Sequence, residues 1–263
     1  MPELPEVESV RRGLEPLVVG KKILDYEIFW NNSVERDLKG IKNKRIKNIH
    51  RRGKYLGFKM SVGYLVIHLR MAGTIGVSTE KIEKYVTVKF KLDDGNEMRL
   101  IDYRKFGKVW FVDKFEEVVG HLGPEPLSKN FDVGVLKKMI SKRRGMMKPL
   151  LLNQRFVAGL GNIYVDESLF RARIHPTEKA DKIDTKRIEK LYEGIIDVLT
   201  ESLNFGGTTF ISFVGADGKH GEYRKKLKVF NRTGEPCIVC GTEIKKIFVC
   251  QRGTHFCPSC QKN

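Results

Sequence analysis

Four of the five cysteines stand at Cys237, Cys240, Cys257 and Cys260, a C-x2-C-x16-C-x2-C spacing. Two thiolates separated by two residues curl round one tetrahedral ion, and a second such pair on a hairpin completes a four-thiolate zinc site. The spacing predicts one structural zinc, with no coordination position left open for chemistry. It fixes a small ribbon whose folding depends on the metal. Disulfide pairing would need an oxidising compartment, and the opening MPELPEVESV lacks the basic-then-apolar pattern of a secretory signal. Between the pairs, Arg252 is placed at the hairpin tip, where it is suited to grip a phosphate. His255 is expected to be an ordinary structural histidine, and the leftover Cys250 a buried apolar residue.

A zinc ribbon on a strongly basic chain points to an anionic partner. The 263 residues carry 49 Lys and Arg against 32 Asp and Glu, a net charge of +17. The excess is gathered in three stretches: 36–59 has ten basic residues and one acid, 137–148 six and none, and 219–263 ten and three. Aromatic and glycine-rich segments lie beside each, which suggests one composite phosphate-facing surface assembled by folding. Taken singly, each stretch is equally a solvated face. No apolar run approaches the ~20 residues that a membrane span needs, so the expected setting is the cytoplasm, without a membrane partner.

Along the chain, Val7, Val10, Leu14, Leu17 and Val18 have helical spacing within 6–18. Short runs rich in β-branched and aromatic residues follow at 23–30, 54–60, 64–69, 85–92, 97–102 and 108–112, with a hairpin signal at Asp93-Asp94-Gly95. Strands so spaced predict a sandwich or barrel behind one leading helix. After the stiff connector GPEPL at 123–127 the period becomes helical, with candidates at 133–140, 146–156, 164–171 and 185–203. The polar, glycine-rich stretch 213–223 is expected to be a mobile loop. The fold class is thus α+β and multidomain: an N-terminal β-sandwich domain at 1–122, a helical domain at 123–230 and a zinc hairpin at 231–263.

Pro2 follows Met1 directly, and removal of Met1 leaves a free secondary amine. Such an amine is a nucleophile able to form an iminium with an aldehyde-level carbon. The ordinary α-amino pKa of ~7.7–8.0 keeps part of it neutral at physiological pH, and Glu3 beside it could handle protons. Alone, the dipeptide reads more readily as a routine helix start, and the nucleophile needs further support.

The segments PELPEVESVRRGLEP, RRGKYLGF, HLRMAG, RKFG, VAGLGNIYVDESLFRARIHP and RGTHFCPSCQ occur in that order between Pro2 and Gln261. Together they closely resemble the bacterial formamidopyrimidine-DNA glycosylase family, over nearly the whole chain. The resemblance implies a base-excision repair enzyme that removes oxidised purines, 8-oxoguanine and formamidopyrimidines, from damaged double-stranded DNA and then cleaves the abasic strand by β,δ-elimination. It implies a monomer that associates with the nucleoid by binding DNA. Pro2 would attack C1′ and hold the sugar as an imine, and Glu3 would donate the proton that opens the deoxyribose ring. Glu6 would lie near the active site. Lys54 would give the proton for β-elimination, and Arg252 would serve phosphate binding and δ-elimination. A flipped base leaves a void and an orphaned partner; Met71, Arg104 and Phe106 match the trio that fills it, Arg104 reading the opposite cytosine. QRFVAGLGNI at 154–163 would be the loop of a helix–two-turn–helix, with Asn162 capping the next helix and donating to a phosphate. Arg144 and Lys148 would add DNA contacts.

The chain departs from the family pattern at several positions. Tyr85 replaces a DNA-contacting His; Arg70 stands where some members have Gly; Tyr103 and Lys105 take the places of Pro and Arg; Asn153 replaces Asp; and TTFISF lacks an Arg. These bear on lesion preference and opposite-base discrimination, not on Pro2, Glu3, Lys54, Asn162 or Arg252. Two other readings are a catalytically silent module for damaged DNA and an endonuclease VIII-like enzyme for oxidised pyrimidines. Intact Pro2 and Glu3 argue against the first, and Leu4, where that sister group has Gly, against the second.

Overall fold

The computed structural model describes residues 1–79, 84–208 and 221–262. These form two compact units, Met1–His121 with Phe205–Arg224, and Leu122–Asn204 with Lys225 onward. The expected loop at 213–223 lies outside the described residues apart from its last three.

The first unit opens with α1 (Leu4–Val18) and continues with strands β1 (Lys22–Ile28), β2 (Lys44–Arg52), β3 (Tyr55–Met60), β4 (Tyr64–His68), β5 (Thr74–Ser78), β6 (Val86–Leu92), β7 (Glu97–Ile101) and β8 (Lys108–Val112), then the short α2 (Glu116–Val119). The strands pair antiparallel in the order β5-β7-β6-β1-β2-β3-β4-β8. β1 and β2 share only the pairs Lys22↔Arg45 and Ile23↔Lys44. At that narrow junction the run divides into two four-stranded faces. Val88, Phe90, Met98 and Leu100 from one face and Leu56, Phe58, Leu65 and Ile67 from the other belong to a single buried core. The architecture is the expected sandwich. Val7, Val10 and Leu14, all fully buried, lay the apolar stripe of α1 into the same core.

Two strands escape the sequence reading. β2 lies inside the basic stretch, where only Ile46 and Ile49 turn inward among Lys, Arg, Asn and His. β5 is five residues long, with Ile75 as its one fully inward side chain. Neither offers a run of β-branched residues long enough to show alternation.

In the second unit, α3 (Val133–Ile140), α4 (Met147–Leu152), α5 (Asn162–Arg171) and α6 (Thr185–Asn204) are followed by the hairpin of β9 (Lys245–Val249) and β10 (Arg252–Phe256). The helical candidate at 146–156 stops early, at Leu152, because the chain turns there into the loop leading to α5. The Tyr164 hydroxyl and Ser202 Oγ, 2.6 Å apart and buried, join α5 to α6. Among the described residues no helix is long and apolar enough to cross a membrane.

Candidate active site and nucleic-acid interface

The chain terminus is held by its own first helix. Glu3 and Glu6 form a capping box at the start of α1, in which the Glu3 N–H donates to Glu6 Oε2 at 2.9 Å. Glu6 Oε1 accepts from the Thr208 N–H at 2.7 Å. Both oxygens of Glu6 are therefore occupied in fixing backbone, and this residue positions its neighbours. Gly207 makes the approach possible: it has φ +88°, and a Cβ there would stand 3.1 Å from Glu6 Oε1. Pro2, Glu3 and Glu6 are all buried, and Glu3 is 2% exposed.

Burial holds the terminal amine of Met1 below its ordinary pKa; the Glu3 and Glu6 carboxylates oppose that shift and the Lys54 and Arg104 cations add to it. Four charged side chains from separate parts of the sequence thus act on one amine. Lys54 reaches the site from the two-residue turn between β2 and β3, where Gly53 takes φ 56° and Arg52 pairs with Tyr55.

His68, at the end of β4, lies across the ladder from Tyr55, and the two rings meet edge-on at 4.4 Å. Burial, reinforced by the Arg70 and Lys54 charges, pushes its pKa down to about 3. The ring is therefore neutral at physiological pH. Its Nδ1 accepts from the Arg70 N–H at 3.0 Å, which leaves the proton on Nε2 as a fixed donor. A single histidine in a strand carries no sequence signal that separates this use from a core residue.

The loop after β7 is wound round one carboxylate. Asp102, fully buried, accepts from the N–H groups of Arg104 (2.9 Å), Phe106 (2.8 Å) and Gly107 (2.7 Å). An aspartate that satisfies the turn following it fixes the backbone of DYRKFG and throws its side chains outward. Arg104 is exposed, Phe106 is 48% exposed and Met71 is half-buried. Phe106 is no core residue. Its ring lies under the Arg104 guanidinium at 4.9 Å.

In the second unit, Gln154 organises the turn ahead of α5, donating to the Leu152 and Leu160 carbonyls and accepting from the Gly159 N–H. Gly161 takes the cap position and Asn162 is the first helical residue, contrary to the expectation that Asn162 itself caps α5. The Asn162 amide donates instead to the Gly253 carbonyl of β10 at 2.9 Å.

Lys148 is placed differently from expectation as well. It has no exposed surface; its ammonium donates to Asp166 Oδ1 at 2.7 Å and to the Gly253 carbonyl at 3.1 Å. Asp166 Oδ2 in turn accepts from the His255 N–H at 2.8 Å. The neighbouring Glu167, also fully buried, accepts from the N–H groups of Lys228, Val229 and Phe230 at 2.8–2.9 Å. Two consecutive carboxylates of α5 thereby clamp both β10 and the bend at 228–230 that leads to the zinc hairpin. Lys148 is thus interior, while Arg144, just ahead of α4, is exposed. Replacing Lys148 with Ala strands the buried Asp166 charge and is expected to cost about 3–5 kcal/mol of stability. Thermal unfolding would register it, and Lys148→Met with Asp166→Leu should recover only part of the loss, because the buried His255 N–H then lacks its acceptor. Unchanged stability together with a DNA salt slope reduced by about one would instead make Lys148 a direct phosphate contact.

The sulfurs of Cys237, Cys240, Cys257 and Cys260 lie within 4.8 Å of one another, with contacts of 3.5 Å from Cys240 to Cys257 and to Cys260 and 3.9 Å from Cys237 to Cys260. A tetrahedron with Zn–S of ~2.3 Å has edges of about 3.8 Å. The Val239 N–H donates to Cys237 Sγ and the Cys260 N–H to Cys257 Sγ, both at 3.4 Å, as thiolates require. The four residues fit one structural zinc. His255 is not among them; it is buried against Phe230 and Asp166. Cys250 departs from expectation. It is exposed at the hairpin tip, where it and Gln251 take φ 45° and 60°. That strained turn delivers Arg252, which is exposed and makes no ion pair among the described residues.

With this geometry in view, comparison with known proteins is informative. Residues 1–109 match the formamidopyrimidine-DNA glycosylase N-terminal domain, 122–213 the formamidopyrimidine-DNA glycosylase H2TH domain, and 234–263 the zinc finger found in FPG and IleRS. The chain is 43% identical to a formamidopyrimidine-DNA glycosylase of Enterococcus faecalis, covering 100% of this chain and 98% of that one. It is 44% identical to that of Geobacillus kaustophilus over the full length of both. The fold is similar to the Lactococcus lactis Fpg solved with DNA containing N7-benzyl-Fapy-dG, with TM-score 0.93, 38% identity and complete coverage of both chains.

Proposed function

Because the chain belongs to the formamidopyrimidine-DNA glycosylase family, we propose that its buried terminus is the nucleophile of a base-excision repair glycosylase and abasic-site lyase for oxidised purines in double-stranded DNA. The observation that carries this reading is the gathering of Glu3, Glu6, Lys54 and Arg104 round the Met1 amine, directly ahead of the buried Pro2. With Met1 removed, the Pro2 nitrogen inherits that environment. Its lone pair forms the bond to C1′ as the glycosidic bond breaks and the base leaves with the electron pair. The Pro2 N–H proton passes to Glu3, which returns it to O4′ and so opens the ring to an iminium. Lys54 supports loss of the C2′ proton and departure of the 3′-phosphate, and Arg252 supports the second elimination. Met71, Arg104 and Phe106 occupy the space of the extruded nucleotide, Arg104 facing the opposite base. Arg144, Asn162 and Tyr85 contribute to DNA binding. A structural zinc, held by the four cysteines, would supply rigidity to the hairpin that carries Arg252, while the chemistry is carried by the Pro2 amine and the side chains named above. The modules 1–122, 123–230 and 231–263 then correspond to catalysis, strand grip and phosphate grip, acting as a monomer in the cytoplasm on the nucleoid.

Borohydride reduction during turnover of an 8-oxoguanine duplex tests the assignment. A covalent protein–DNA adduct is expected, and digestion should map it to the peptide that begins at Pro2. Mapping to a lysine-containing internal peptide would overturn the reading.

A further inference from the structure

Two departures from the family pattern, distant in sequence, come together in space. β6 starts at Val86, paired with Ile101 of β7, and the ladder continues outward as the Asp102 N–H donates to the Tyr85 carbonyl at 2.8 Å. The register therefore brings residue 85 to the loop wound round Asp102. There Tyr85 and Tyr103 meet edge to face, their ring centroids 6.3 Å apart at 68°. Neither ring is covered: Tyr85 is 51% exposed and Tyr103 54%. Tyr85 holds φ 65° and Lys105 φ 59°, backbone that bulky side chains rarely adopt.

Cations stand over the rings of this surface. The Lys84 ammonium lies 5.2 Å from the Tyr85 centroid, Lys105 4.2 Å from that of Trp30, and the Arg104 guanidinium 4.9 Å from that of Phe106. Exposed aromatic faces ringed by cations suit a nucleic acid, whose bases and sugars stack on the rings while its phosphates meet the charges. The surface is continuous with the Arg104–Phe106 loop through Tyr103.

We propose that Tyr85 and Tyr103 act as one aromatic platform that grips the duplex beside the position filled by Phe106, and that by anchoring the residue next to Arg104 it sets how strictly the opposite base is discriminated. The inference rests on the roles given above to Arg104 and Phe106.

The test uses the full-length zinc-loaded protein with Tyr85→Ala, Tyr103→Ala, the double variant and the two Tyr→Phe variants. Kd is measured for a duplex containing a tetrahydrofuran abasic analogue opposite C, and single-turnover incision for 8-oxoguanine opposite C, A, G and T. Each alanine variant is expected to raise Kd by ~5–30-fold and to narrow the preference for C. The double variant should lose no more than about twofold beyond the worse single one, since the rings act as a unit. The Phe variants should bind like the parent, and the unfolding temperature of all five should stay within about 2 °C. Parent-like affinity and discrimination in the double variant, or losses that simply multiply, would overturn the platform. In either case borohydride capture at Pro2 would persist, so its failure is distinct from failure of the nucleophile assignment.

Discussion

A protein that keeps Met1, or carries a purification tag ahead of Pro2, is expected to lose strand incision by at least ~10³-fold, about 4 kcal/mol of transition-state stabilisation. Acylation turns the Pro2 nitrogen from a secondary amine into an amide, which has no lone pair to offer C1′. The surface that binds DNA is untouched by the change, so affinity for an abasic-analogue duplex should remain within about threefold, well under 1 kcal/mol. The measurement pairs intact mass with incision across preparations of differing Met1 content; activity should follow the fraction beginning at Pro2. Equal activity in fully blocked protein would require another nucleophile. The structure makes the prediction sharp because Pro2 is buried and its neighbours are held in place. Glu6 ties the Glu3 amide and the Thr208 amide to one carboxylate, so the backbone beside Pro2 is fixed.

Stripping the zinc should be nearly as damaging, though by a different route. Structural zinc contributes ~10–16 kcal/mol in small zinc-finger sites, comparable to a typical domain's whole stability of ~5–15 kcal/mol. Here the ligands are also core: Cys237 and Cys257, 4% and 0% exposed, pack with Phe170, Val229 and Ile244. Chelation, or Cys257→Ala, is expected to unfold the hairpin and so remove Arg252 from its turn. It also removes the Gly253 carbonyl that receives Asn162 and Lys148, and the His255 amide that satisfies Asp166. Affinity for abasic-analogue DNA should fall by ~10²-fold or more, about 3 kcal/mol, and incision should vanish with it. Zinc content, near-ultraviolet circular dichroism and DNA affinity should fall together as chelator is added. Metal-free protein that binds DNA normally would show that the hairpin contributes nothing to the grip.

Tertiary burial, which one-dimensional patterning does not carry, decided several placements. Lys148 reads as one more member of a basic stretch, and Lys at a surface is the ordinary case. Only packing of α4 against α5 shows that Asp166 has drawn it fully inside. β2 is hidden for a related reason: its inward residues are two isoleucines among charges, so charge dominates the pattern while the fold uses the alternation. Phe205–Arg224 joins the N-terminal unit although it follows the helical segment in sequence, a return of the chain that composition does not announce.

Sequence alone determined the chemistry-bearing parts whose spacing is local. These are the paired cysteines, the proline terminus with its adjacent carboxylate and the strands and helices with unmixed periodicity. Each depends on residues a few positions apart, where covalent geometry already dictates the outcome. Tertiary structure alone decided what meets across long separations. It put Glu6 against Thr208, Asp166 against Lys148 and His255, and Tyr85 against Tyr103. It also left Cys250 exposed where an apolar reading buries it. Such contacts are set by sheet register and helix packing, which answer to the volume and hydrogen-bond needs of the whole core and leave no trace in the spacing of any single segment.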